Sequence, residues 1–228
     1  MRFIAKLYYL VHTLTSKPEE RGEYSVGHWQ SQVRIEVFNL CKKINGRVVE
    51  IGCGEGLFLV KLAQCHNGLE IWGLDNNRKI LSQLKDKSLQ EGFANMHFVL
   101  GEAGYLPFSD ECFDTVICIN TSINMPSIDY LKMALSEMMR ICKKGGKIIF
   151  EYRNSLNKLL NLKYRLARYY DETLGPLPLN TFSTEMINSF IKSANFRVLN
   201  RRFIPKFFEH HWLRAFSPII IVEAIKEC

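Results

Sequence analysis

The residues best able to do chemistry lie in one short run, Val48-Val49-Glu50-Ile51-Gly52-Cys53-Gly54-Glu55-Gly56. An apolar stretch ends in an acid, glycine follows at every second position, and a helical pattern begins. Glycines at a strand-to-helix turn let backbone N–H groups approach a ligand closely and allow positive φ. A dinucleotide turn needs G-x-G-x-x-G. Here Gly56 falls one position early and Leu57 takes the place that fingerprint reserves for glycine. That spacing argues against a nicotinamide oxidoreductase. Downstream, Ile71-Trp72-Gly73-Leu74-Asp75 ends a second apolar run in an acid. In doubly wound folds an acid about 20 residues past the glycines accepts hydrogen bonds from ribose hydroxyls. An acid there can also cap the following helix, and Asp75 is open to both uses.

Positioning these residues requires strands that end together. Buried parallel strands read as near-continuous apolar runs, found at Arg47–Gly52, Glu70–Asp75, Met96–Glu102, Phe113–Asn120 and Lys147–Tyr152. Helical patterns separate them at Gly56–Cys65, Arg78–Gln90 and Asp129–Cys142, and Lys143-Lys144-Gly145-Gly146 reads as the turn closing the last. A leucine-rich helix is expected at Ser155–Tyr170, and Gly175-Pro176-Leu177-Pro178 then breaks the chain. Ser183 should cap a helix reaching Ala194, before strands at Phe196–Ile204 and Ile219–Lys226. The alternation predicts an α/β, Rossmann-like, doubly wound and mostly parallel seven-stranded sheet, with helices on both faces and a helical lid. Residues 1–46 form the expected N-terminal cap. Residues 47–228 form the ligand-binding domain, with a basic helical insertion at about 153–180.

The 228 residues suit one large domain, and 47% hydrophobic content supplies a core without metal or disulfide staples. Seven cysteines in no C-x-x-C pair argue against zinc and for free thiols in a reducing, cytoplasmic setting. No apolar run approaches the length of about 20 residues that crosses a bilayer. At the start, Phe3, Ile4, Leu7, Leu10, Val11 and Leu14 share one helical face, which packs on the domain or over its cleft, or lies at a membrane surface. Charge is uneven. Residues 1–139 hold 14 Lys/Arg against 16 Asp/Glu, whereas residues 140–214 hold 15 against 5. The basic second half is either a solvated face or meets an anionic partner.

Four blocks resemble the class I S-adenosylmethionine (SAM)-dependent methyltransferases, particularly the branch with the quinone-biosynthesis enzymes. They are VVEIGCGEG at 48–56, IWGLD at 71–75, GEAGYLPFSDECFDTVICIN at 101–120 and LSEMMRICKKGGKIIFE at 135–151. The resemblance implies SAM as cofactor and S-adenosylhomocysteine as product. It assigns Glu50, Gly52 and Gly54 to the amino-acid part of SAM, with Glu50 on the ammonium, and counts Cys53 and Gly56 among the cofactor-binding residues. Asp75 would hold the ribose, Asn76 would lie beside the adenine, Glu102 and Ala103 would address its edge, and Asn120 would sit beneath the ligand. Relatives usually carry aspartate at the position of Glu102.

A sulfonium methyl is already activated, so alignment and exclusion of water are the main needs. A hydroxyl or carbon-acid acceptor would add a base. His28 is the leading candidate, within Glu23-Tyr24-Ser25-Val26-Gly27-His28-Trp29 ahead of the glycine turn. Tyr24, Glu151, Arg153 and Tyr164 are the candidate acceptor-side residues. The expected acceptor is a small molecule or lipid precursor, neutral or anionic, with peripheral membrane contact open and no obligate protein partner indicated. Two alternatives stand beside it. The basic, tyrosine-bearing stretch Arg153–Arg168 suits an RNA methyltransferase, although no appended RNA-binding module is visible. The third reading is a SAM-binding protein without turnover.

Overall fold

In the computed structural model, residues 28–167 and 179–227 are described. Helix α1 (His28–Leu40) precedes β1 (Arg47–Ile51), α2 (Leu57–Cys65), β2 (Glu70–Asp75), α3 (Arg78–Gln90), β3 (Met96–Leu100) and β4 (Phe113–Cys118). There follow α4 (Ile128–Ile141), β5 (Cys142–Arg153), α5 (Lys158–Ala167), α6 (Thr184–Ser193), β6 (Phe196–Ile204) and β7 (Ile219–Lys226). The seven strands form one sheet in the order β3-β2-β1-β4-β5-β7-β6. β3, β2, β1, β4 and β5 run parallel, and β7 is antiparallel to both neighbours. The central strands are almost wholly buried, whereas the edge strands β3 and β6 are only partly covered.

Alternation along the strands divides the core into two layers. Val49, Ile51, Val116, Ile148, Phe150 and Val222 face Leu131, Leu135 and Met138 of α4 and Ile187 and Ile191 of α6. Val48, Ile71, Ile117, Ile149 and Ile221 face Val33 and Val37 of α1, Phe58, Leu59 and Leu62 of α2, and Leu81 and Leu84 of α3. One face of each helix is apolar at a period of 3.6, so packing on the sheet holds it. Helix starts carry side-chain caps: the Asn77 side-chain oxygen accepts from Lys79 N and Ile80 N, Ser127 accepts from Tyr130 N, and Ser183 accepts from Met186 N.

The Lys143–Gly146 run is not a free turn. It lies inside β5, where pairing slips from Phe113↔Cys142 to Thr115↔Lys147. Gly145 takes φ +71°, and a Cβ on Gly146 would meet Lys143 O at 2.8 Å and Asp114 O at 3.0 Å. The glycines thus permit a bulge in which the chain passes close to its neighbour. β3 and β4 end two residues earlier than the sequence pattern predicts, because Gly101–Glu102 and Ile119–Asn120 turn away to shape the ligand edge.

Candidate functional site

A cavity of about 730 Å³ opens at the carboxyl ends of β1, β2 and β4. In open α/β sheets this edge, where the strand order reverses, is where ligands bind. The turn after β1 is pinned to β2: Gly52 N and Cys53 N both donate to Leu74 O, at 2.7 and 3.0 Å. Gly54 N donates to Asp75 Oδ2 at 2.8 Å, and Asn77 N donates to Asp75 Oδ1 at 2.9 Å. Asp75 therefore braces both the glycine turn and the entry to α3 while lining the cavity. Each of its oxygens keeps a second acceptor site for a ligand hydroxyl.

The three glycines answer to different neighbours. A Cβ at Gly52 would lie 2.3 Å from Thr121 Oγ1, and one at Gly56 would lie 2.3 Å from Leu84 Cδ1. A Cβ at Gly54 would meet nothing within 4 Å. Only Gly54 is small to leave room at the cavity; Gly56 serves the packing of α2 against α3 and does not line it. The other residues assigned to the cofactor, Glu50, Gly52, Cys53, Gly54, Asp75, Asn76, Glu102, Ala103 and Asn120, all do.

Glu50 is 3% exposed, and its Oε2 has no hydrogen-bond partner. Burial pushes its carboxyl well above the usual range, Arg34 opposes the shift, and Asp75 adds to it. A buried carboxylate in this state calls for a cation or donor inside the cavity. Asn120 takes φ +56°, donates from Nδ2 to Gln30 O at 3.3 Å, and leaves its buried Oδ1 without a partner. The Cys53 thiol is pushed up by burial and by Glu50, which keeps it a neutral thiol.

At the other end of the cavity, Glu102 Oε1 accepts from Asn76 Nδ2 at 3.3 Å and Oε2 accepts from Tyr130 Oη at 2.8 Å. Burial and this contact raise the Tyr130 hydroxyl above its ordinary value. The following segment is clamped by Arg140, which donates to Phe108 O, Leu106 O and Asp110 Oδ1 and pairs with Glu137.

The remaining sequence candidates do not meet at this cavity. Tyr24 lies outside the described residues. His28 opens α1, and its side chain is likewise outside them. Glu151 and Arg153 are fully buried on the α1 face of the sheet. There Ser122 Oγ donates to Glu151 at 3.1 Å, and the Arg153 guanidinium stands 3.6 Å from Glu151 Oε2. They form a buried ion pair away from the cavity lining because strand alternation turns both toward α1. Tyr164 is half-buried on α5 and absent from the lining.

Sequence reasoning missed Gln30, Arg34, Thr121 and Tyr130, which all line the cavity. Gln30 and Arg34 are four apart on α1, hence on one helical face. Polar residues beside the apolar Val33 and Val37 were the available signal. Among the described residues, no group of three or more His, Cys, Asp or Glu is arranged to hold a metal.

SAM fits what this site offers. Its ammonium suits the unpartnered Glu50 carboxylate, its ribose hydroxyls suit Asp75, and the open space at Gly54 admits the ligand against the turn. Strand order and cavity together define the class of protein, a Rossmann-like methyltransferase fold with its ligand edge at the glycine turn. The family model described as "Methyltransferase domain" matches residues 48–146. The chain is 34% identical over 104 residues to the demethylmenaquinone methyltransferase of Anoxybacillus flavithermus, covering 45% of this chain and 43% of that protein. It is 29% identical over 133 residues to the phosphatidylethanolamine N-methyltransferase of Cereibacter sphaeroides, covering 57% and 62%. Magnesium protoporphyrin IX methyltransferase from Synechocystis PCC 6803, solved with bound SAH, superposes with a TM-score of 0.67 at 18% identity over 99% of this chain and 96% of that one. Over residues 48–146 the chain carries a match to the methyltransferase domain, and its fold is that of the SAM-dependent methyltransferases. It spans about half the length of the curated relatives it matches.

Proposed function

We propose that this protein transfers the methyl group of SAM to a small-molecule or lipid-precursor acceptor. The observation that carries the reading is the buried Glu50 carboxylate, without a partner on Oε2, in a cavity also lined by Asp75, Asn76 and Glu102. When bound, SAM supplies a methyl group already activated on a sulfonium. The protein's residues bind and orient. Glu50 takes the ammonium, and Arg34, on the same side of the cavity, is placed for the carboxylate of the methionyl portion. Asp75 takes ribose hydroxyls. Glu102 accepts from the adenine amino group, held in place by Asn76 and Tyr130. Gln30 and Asn120, joined by the Asn120 Nδ2 bond to Gln30 O, line the cavity from α1 and the end of β4, and Thr121 lines it beside the glycine turn.

The two curated relatives described above are named for demethylmenaquinone and phosphatidylethanolamine, which favours a lipid-class acceptor here. Ile119, Met125 and Pro126 give the β4 side of the cavity an apolar wall suited to such an acceptor. The test combines calorimetry with SAM and S-adenosylhomocysteine and a transfer assay using radiolabelled SAM. Candidate acceptors are demethylated quinones, aminophospholipids and bulk RNA. The reading requires micromolar-range SAM binding and label in the organic phase. Label confined to RNA, or no SAM binding by folded protein, would overturn it.

A further inference from the structure

Twelve large hydrophobic residues are exposed among the described residues, and half of them fall in two short segments. Leu156, Leu159 and Leu162 belong to one, and Phe207, Trp212 and Phe216 to the other. Isolated exposed apolar side chains need no explanation, but clustering does. These segments are joined. Asn157 Nδ2 donates to Phe216 O at 2.6 Å, and Asn154 Nδ2 donates to Ala215 O at 2.8 Å and Ser217 O at 3.0 Å. Both also leave the same sheet edge. β5 ends at Arg153, which pairs with Ile219 at the start of β7, and Ile219 in turn pairs with Ile204 at the end of β6. It is the edge at which the cofactor cavity opens.

α5 is built against the usual rule. Leu160 alone of its described leucines is buried, at 2% exposure, whereas Leu159 is 79% exposed and Leu162 51%. A surface helix ordinarily turns leucine to the core and charge to water. Here leucines at 156, 159 and 162, spaced by three, form an outward stripe. Trp212, 74% exposed, and Phe207 and Phe216 extend it across the neighbouring loop. The charge around it is one-sided. Residues 154–167 and 205–218 carry five Lys/Arg and the single acid Glu209. Lys158, Arg165 and Arg214 are exposed, and Lys206, also exposed, is paired with Glu36 at 2.8 Å.

We propose that this edge is a docking surface for an anionic lipid bilayer, with Leu156, Leu159, Leu162 and Trp212 entering the interface and the cations meeting headgroups. Outward leucine and tryptophan ringed by lysine and arginine is the chemistry of interfacial binding. A patch that bound a polyanion alone would have no use for exposed leucine. The surface brings the cavity mouth to the bilayer, so an acceptor dissolved in lipid can reach it without crossing water. That purpose rests on the lipid-precursor reading of the acceptor; the docking itself does not.

The test is co-sedimentation of the full chain with vesicles of phosphatidylglycerol and phosphatidylcholine in equal parts, and with phosphatidylcholine alone. The wild type should pellet with the first and stay in solution with the second. Leu159→Glu with Trp212→Ser should lower partitioning more than tenfold. Lys158→Gln with Arg165→Gln should lower it roughly 30-fold, since each cation near an anionic surface changes partitioning about fivefold. These side chains are outside the cavity lining, so SAM affinity by calorimetry should be unchanged in both double variants. Wild type that ignores anionic vesicles, or variants that bind as well as wild type, would overturn the proposal. So would a wild-type dimer, seen by light scattering, that Leu159→Glu splits, because the patch would then be covered by a second copy. Vesicle binding without SAM binding would sink the methyltransferase reading and leave the docking surface standing; the reverse result would sink docking alone.

Discussion

Glu50→Gln should weaken SAM binding by roughly 10- to 150-fold while making the ligand-free protein harder to unfold. The loss follows from one charge-assisted hydrogen bond, worth about 1.5–3 kcal/mol. The gain follows from burial. Glu50 is 3% exposed, Oε2 has no partner, and desolvation outweighs the attraction of Arg34, so its carboxyl in the folded protein lies well above 4.5. Below pH 4.5 both folded and unfolded chains hold the proton. As pH rises the unfolded chain ionises first, so stability falls from there up to the raised folded value. Glutamine removes that fall. Binding has the opposite slope, because only ionised Glu50 pairs with the ammonium. Wild-type affinity should therefore increase with pH through the raised titration, by up to about tenfold per unit, and then level off. Titration calorimetry and thermal melts across a pH series read both effects. A Glu50→Gln protein with wild-type affinity and an unchanged pH slope would refute the reasoning, as would a lower Tm at neutral pH.

Tyr130→Phe removes the 2.8 Å bond to Glu102 and should cost about 3- to 10-fold in SAM affinity. It should also narrow discrimination between S-adenosylhomocysteine and its inosine analogue, measured by competition, and unchanged discrimination would return Tyr130 to packing. Gly56→Ala forces a Cβ to 2.3 Å from Leu84 at φ +70° and should cost about 2–4 kcal/mol of stability by denaturant melt. Gly54→Ala meets no neighbour but adds left-handed strain at φ +50°, about 1–2 kcal/mol, so it should stay folded with a slightly lower Tm and lose SAM affinity at least about tenfold, since its Cβ occupies ligand room.

Much of the frame was legible in the chain. Strands β1, β2, β4 and β5 are near-continuous apolar runs because parallel strands are covered on both faces, and such runs stand out from amphipathic helices. Glycines at alternate positions and an acid after each of two strands marked the ligand edge, since that local geometry tolerates few other residues. The Ser183 cap was equally local. The Lys143–Gly146 run was misread because glycine marks turns and bulges alike, and only the strand beside it distinguishes them.

What the chain alone determined was the set of backbone-encoded features: strand positions, the glycine turn and Asp75. What only the tertiary structure decided was which side chains share a space. Glu151 and Arg153 looked suited to an acceptor but alternate onto the α1 face and pair there. Gln30, Arg34 and Tyr130 came into the cavity from helices whose periodicity advertises an apolar face, not the polar residues at its margin. Gly52, Gly54 and Gly56 read identically in sequence, yet Thr121, open cavity and Leu84 give each a different reason to be glycine. Contacts between residues tens of positions apart leave no local pattern, because neither partner's spacing depends on the other until the sheet brings them together.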